Sequence, residues 1–199
     1  MRLYIILVIS ILISSEINAQ DSVLRFELPG KIVPLKQQYN MDCWITVATM
    51  MLSWRDGINY SVDSLAHKLG DPWKLYYELD TGLPAKEQNN FINLLGLRSE
   101  PPANYLLSAY LDMLKTFGPL WIITGDEFGA HARLLYGIEG NRSYDNSSFL
   151  FIDPLKGLMS KQNSLAFFKE FEEEARVANR EEKAKKGSWP ELRIQIFHF

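Results

Sequence analysis

An α+β fold, with a helical lobe packed against an antiparallel sheet lobe, follows from three features of the sequence. Helical apolar spacing dominates the first half of the chain. Short β-like runs, separated by Gly, Asn, Asp and Ser turns, dominate the second half. The composition, 47% hydrophobic and 13% aromatic over 199 residues, supports a sizeable core in one domain.

The first residues stand apart from that domain. Arg2 gives a positive start, Leu3–Ile13 is apolar except for Ser10, and a polar, small-residue exit runs to Ala19. This reads as a secretory signal peptide over residues 1–19, which leaves 20–199 as a single domain. The apolar run is too short to span a bilayer, which takes about 20 residues. The expected destination is the periplasm or the medium, without stable membrane insertion after cleavage.

Val23–Pro34 is extended and broken by Pro29, Gly30 and Pro34. Cys43–Trp54 carries apolar residues on every side, as a central buried helix does, with Asn40 and Asp42 as candidate N-caps. Ser61–Leu69 is a short amphipathic helix closed by Gly70. Asp71–Pro84 reads as an irregular aromatic connection. Helices follow at Pro84–Leu95 and Asn104–Phe117, the second stopped by Gly118 and Pro119. Leu120–Thr124, His131–Ile138 and Phe149–Asp153 are strands. Residues 165–199 hold a charged helix, Phe167–Lys186, and a final alternating strand, Leu192–Phe199.

A net charge of -3 without a basic patch argues against a nucleic-acid partner. No CxxC, HExxH or acidic calcium-loop pattern indicates a metal cofactor. The single cysteine, Cys43, is more telling. In an exported protein it cannot form an internal disulfide, so it is inert, links two chains, or reacts. It precedes the buried helix, where unpaired N–H groups and the helix dipole favour a thiolate.

A nucleophile needs a base, and three histidines are available. His67 lies within the short helix and His198 beside the C-terminus. His131 follows the Gly-containing loop "GDEFGA" and opens a strand, so it can be held rigidly and still face a cleft. If Phe149–Asp153 pairs antiparallel with His131–Ile138, Asp153 comes beside His131 and can orient its ring. Asp126 and Asp145 are less well placed, and an aspartate before proline is often only a turn former. An oxyanion would need donors. The Cys43 N–H at the helix start is one. Gln37, six residues upstream, or Gln38, five upstream, offers a side-chain amide.

With these residues in view, the sequence resembles papain-like cysteine proteases. It is similar to the bacterial branch that resembles plant-pathogen effector proteases and bacteriocin-leader peptidases. The likeness rests on Gln37, Cys43 with Trp44, Ala48, Met50 and Met51, His131 with "LLYGIEG", and "FIDP" ending at Asp153. It spans roughly Val33–Phe171. It implies a papain-like fold, a cysteine peptidase acting on a peptide or protein, and catalytic Cys43, His131 and Asp153. It also gives Gln37 the oxyanion role, with Gln38 as the alternative. Papain differs in surrounding its cysteine with Gly and Ser and in using Asn as third member. The same Cys–His–Asp chemistry would serve a transglutaminase-like acyl transferase or a cell-wall amidase. An inactive papain-like module could instead bind a partner along Trp73, Tyr76 and Tyr77.

Overall fold

The computed structural model describes residues 23–126, 129–186 and 193–199. Residues 1–22, where the signal-peptide reading falls, lie outside the described set. The chain is α+β as expected, with helices packed against one antiparallel sheet. After β1 (Leu24–Glu27) come α1 (Cys43–Asp56), α2 (Val62–Leu69), α3 (Trp73–Glu78) and α4 (Gln88–Leu94), the last preceded by a 3-10 turn at Ala85–Glu87. Then follow β2 (Arg98–Ser99), α5 (Leu107–Phe117), β3 (Leu120–Asp126), β4 (Gly129–Gly140), β5 (Ser147–Asp153), β6 (Leu158–Asn163), α6 (Ser164–Lys186) and β7 (Ile196–His198).

The sheet runs β2-β7-β3-β4-β5-β6, with every pairing antiparallel. Strand β4 is long enough to serve two partners along one edge: β3 against its first half and β1 against Gly137–Gly140. Successive residues Leu120–Thr124 are all buried, so both pleat faces of β3 are covered. Helix α6 packs on β3, and α1 and α5 pack on β4. Helix α1 is buried from Trp44 through Leu52 and ends at Gly57, whose left-handed conformation (φ 66°) returns its N–H to Ser53 O.

Several elements depart from the sequence reading, β2 among them, which was not expected. Asp71–Pro84 contains a helix, α3, whose buried Trp73 and Tyr77 are four residues apart, the spacing of one helical face. Helix α5 starts at Leu107 rather than Asn104, because Leu106 is extended. Strand β6 was not expected, since it is a mostly exposed edge strand without apolar alternation. Strand β7 spans only Ile196–His198. Gln195, before it, spends its side-chain amide on Ile123 O (3.0 Å) and Phe171 O (2.9 Å).

Candidate active site

Cys43 is the first residue of α1, so its N–H has no acceptor within the helix. Asp42 holds the N-cap position but makes no side-chain cap. Its carboxylate turns back to accept from Gln38 N (3.1 Å) and Tyr39 N (3.2 Å). Asp42 is 1% exposed, and this burial pushes its carboxyl above the usual range, although those N–H bonds pull the other way.

His131 lies inside β4, opposite Thr124 of β3, rather than at the strand's first residue. Leu134 pairs with Ile152, so Asp153 stands one step further on and diagonal to His131, within reach on one pleat face. His131 Nε2 and Asp153 Oδ1 are 2.8 Å apart. The same oxygen accepts from Leu155 N at 2.9 Å. Asp153 therefore forms the turn before Pro154 and braces the imidazole at once.

Cys43 Sγ lies beside this strand, 3.5 Å from the N–H of Ala132, the residue after His131. Burial alone would lower the imidazole pKa. The bond to Asp153 and the nearness of Cys43 outweigh it and raise the value from 6.5 to about 9. Asp153 shifts oppositely: burial raises its carboxyl, but His131 and the Leu155 N–H together hold it below the ordinary 3.8.

Gln37 is buried, and its backbone N–H donates to Pro154 O at 2.8 Å, which ties the loop before Cys43 to the end of β5. Its side-chain Nε2 donates to Tyr39 O and Asn40 O, both at 2.8 Å, and its Oε1 is buried without a partner. Gln38 is exposed. It bonds Tyr39 Oη (3.2 Å) and accepts from Tyr77 Oη (3.0 Å), which also lies 2.6 Å from Asp63.

A cleft opens beside His131, with Trp44, Trp121, Ile123 and Leu83 among its apolar walls and Gly82 and Met41 on its rim. The remaining candidates lie elsewhere. His67 is exposed on α2, with Nδ1 2.8 Å from Asp63 O. His198 is buried against Phe117, ring centroids 3.8 Å apart, and meets Glu100 at 2.9 Å, a structural setting. Asp145 is exposed at the far end of β5, and the Asp126 side chain lies outside the described set. Trp73 and Tyr77 are core residues and do not line an open groove. Among the described residues no group of three His, Cys, Asp or Glu side chains is arranged to hold a metal. No helix there is long and apolar enough to cross a membrane.

One residue with a role at this site carried little signal in the sequence. Asp80, after α3, accepts from the N–H groups of Asn40 and Met41 just before Cys43.

Comparison with protein families matches residues 27–173 to the family described as papain-like cysteine protease AvrRpt2. A search of curated proteins found no match.

Proposed function

The chain belongs to the papain-like cysteine protease family, whose members are cysteine-type peptidases, and from that premise we propose that Cys43, His131, Asp153 and Gln37 carry the hydrolysis. The observation that carries this reading is the His131 ring, on the strand whose Ala132 N–H lies 3.5 Å from Cys43 Sγ, bonded to Asp153, with Cys43 at the head of a buried helix.

The thiol proton passes to His131, and the thiolate attacks the peptide carbonyl carbon. As the C–S bond forms, the carbonyl π electrons move to oxygen. The Cys43 N–H and the Gln37 amide stabilise that oxyanion. Gln37 already gives both amide hydrogens to Tyr39 O and Asn40 O, so it must share or release one of these bonds. The C–N bond then breaks while His131 protonates the leaving nitrogen. Water next attacks the thioester, His131 takes its proton, and the thiolate leaves with the acid product released. Asp153 keeps the imidazole in plane and favours its cation throughout.

The expected substrate is a protein. Labelled casein incubated with the mature protein should yield new amine termini, and Cys43→Ala and His131→Ala should not. Products joined by a new amide would favour the acyl-transferase reading instead. Export is also proposed, on the pattern of residues 1–19. N-terminal sequencing of exported protein should begin at or near Gln20, and a mature product retaining Met1 would refute cleavage.

A further inference from the structure

The loop from Gln37 to Cys43 is irregular, yet two carboxylates grip four consecutive N–H groups of it. Asp42 takes Gln38 N and Tyr39 N. Asp80 takes Asn40 N through Oδ2 at 3.2 Å and Met41 N through Oδ1 at 2.6 Å. Asp42 is local. Asp80 arrives about forty positions later, on the turn after α3 whose next residues, Thr81 and Gly82, line the cleft beside Met41. A Cβ at Gly82 would lie 3.3 Å from Met41 Cε, so turn and loop are in contact. The chain's one cysteine is free, so no disulfide holds this junction.

The backbone at Asp80 points the same way. It closes α3 in a Schellman pattern, with Thr81 N on Tyr76 O (3.2 Å) and Asp80 N on Tyr77 O (3.1 Å). Its φ is 51°, which makes it the one non-glycine residue with positive φ among the described residues. Glycine is the usual choice there, since left-handed backbone is strained for an ordinary L-residue. Glycine or asparagine would meet the shape alone. A carboxylate at this position instead meets the N–H groups of Asn40 and Met41, three and two residues before Cys43.

We infer that Asp80 is a positioning residue for acyl transfer, fixing the loop that bears the Gln37 amide and delivers the Cys43 N–H to the oxyanion. The inference rests on the peptidase reading above. Its test compares two reactions of one thiol. Acylation by p-nitrophenyl acetate passes through an oxyanion, whereas alkylation by iodoacetamide does not. In Asp80→Gly, which keeps or eases the turn, acylation should slow about tenfold or more, a fraction of the effect of deleting an oxyanion donor outright. Alkylation should stay within about twofold of wild type and the melting temperature within a few degrees. Asp80→Asn keeps one acceptor and should fall between. Equal acylation in wild type and Asp80→Gly overturns the inference. So does a parallel fall in both reactions for both variants, because Asp80 would then act on the thiol or the fold. Failure of the peptidase reading shows separately, as wild-type protein that leaves casein intact.

Discussion

His131 is paired with Asp153, and the pair leaves measurable traces. Asp153→Asn keeps the shape and the Leu155 turn but removes the charge facing Nε2. It should lower kcat by about 10²-fold or more, because the imidazolium loses its partner. The pH dependence of stability follows from the same pair. The folded pKa of His131 is raised, so its contribution is complete below 6.5 and fades as pH rises through about 9. Asp153 is held below 3.8, so its contribution is present above that value and is lost as pH falls below it. The melting temperature of wild type should therefore exceed that of Asp153→Asn most between about pH 4 and 6.5, with the gap closing on either side. A pH-independent gap would mean that the ion pair is not its source. Gln37→Ala should reduce kcat by about 10²–10³, the size of one oxyanion donor. Gln38→Ala, at an exposed site facing Tyr39 and Tyr77, should leave activity within about threefold, as surface changes usually do. The reverse result would transfer the oxyanion role to Gln38.

Elements carry these residues, and their legibility in the sequence follows burial. Helix α1 was plain because nine successive residues, Trp44–Leu52, are all buried. Strands β3, β4 and β5 were plain because apolar runs bounded by turn residues are what a covered sheet requires. Strand β6 was not, since an edge strand such as Leu158–Asn163 buries little and imposes no pattern. At the site, His131 and Asp153 could be paired from strand order alone. The Asp42 carboxylate could not be read, because choosing Gln38 N and Tyr39 N over an N-cap bond depends on the loop's shape. Asp80 was hidden for the same reason: its partners are about forty residues away. Gly118 illustrates a stop signal with a second purpose. It ends α5 at φ 84°, and a Cβ there would sit 2.3 Å from Trp54 on α1. Trp54 is itself hydrogen-bonded to Pro29 O, so it has little freedom to retreat. Gly118→Ala should cost about 1–3 kcal/mol from overpacking, with left-handed strain added, read by urea denaturation. An unchanged midpoint would show that the ring moves aside freely.

The whole molecule extends beyond the part that its family match covers. The match ends at 173, yet β7, at 196–198, lies between β2 and β3 inside the sheet. Helix α6 crosses this limit: Phe167 and Phe171 are buried, with Phe167 edge-on to Tyr110 and Phe149 and tilted against Phe151. Glu174 is 5% exposed and pairs with Arg193 at 2.8 Å, which fastens the helix to the chain's last segment. Arg193 in turn lines the cleft beside His131. The last residues thus close the sheet and finish a wall of the site. Removing 193–199 would take Arg193 from the cleft wall and strip Ile196 and Phe197 from the core, each of the two worth about 1.5–3 kcal/mol of burial. It would also bare one edge of β3 and leave the Trp121 ring without Phe197, 5.8 Å away. That loss alone is about 3–6 kcal/mol, comparable with the 5–15 kcal/mol that holds a typical domain folded. The truncated chain should therefore melt without a cooperative transition, or far below full-length protein, and should cleave no casein. A truncation that melts cooperatively within a few degrees of the full chain, yet is inactive, would place the contribution of the last segment in the cleft wall rather than in the sheet.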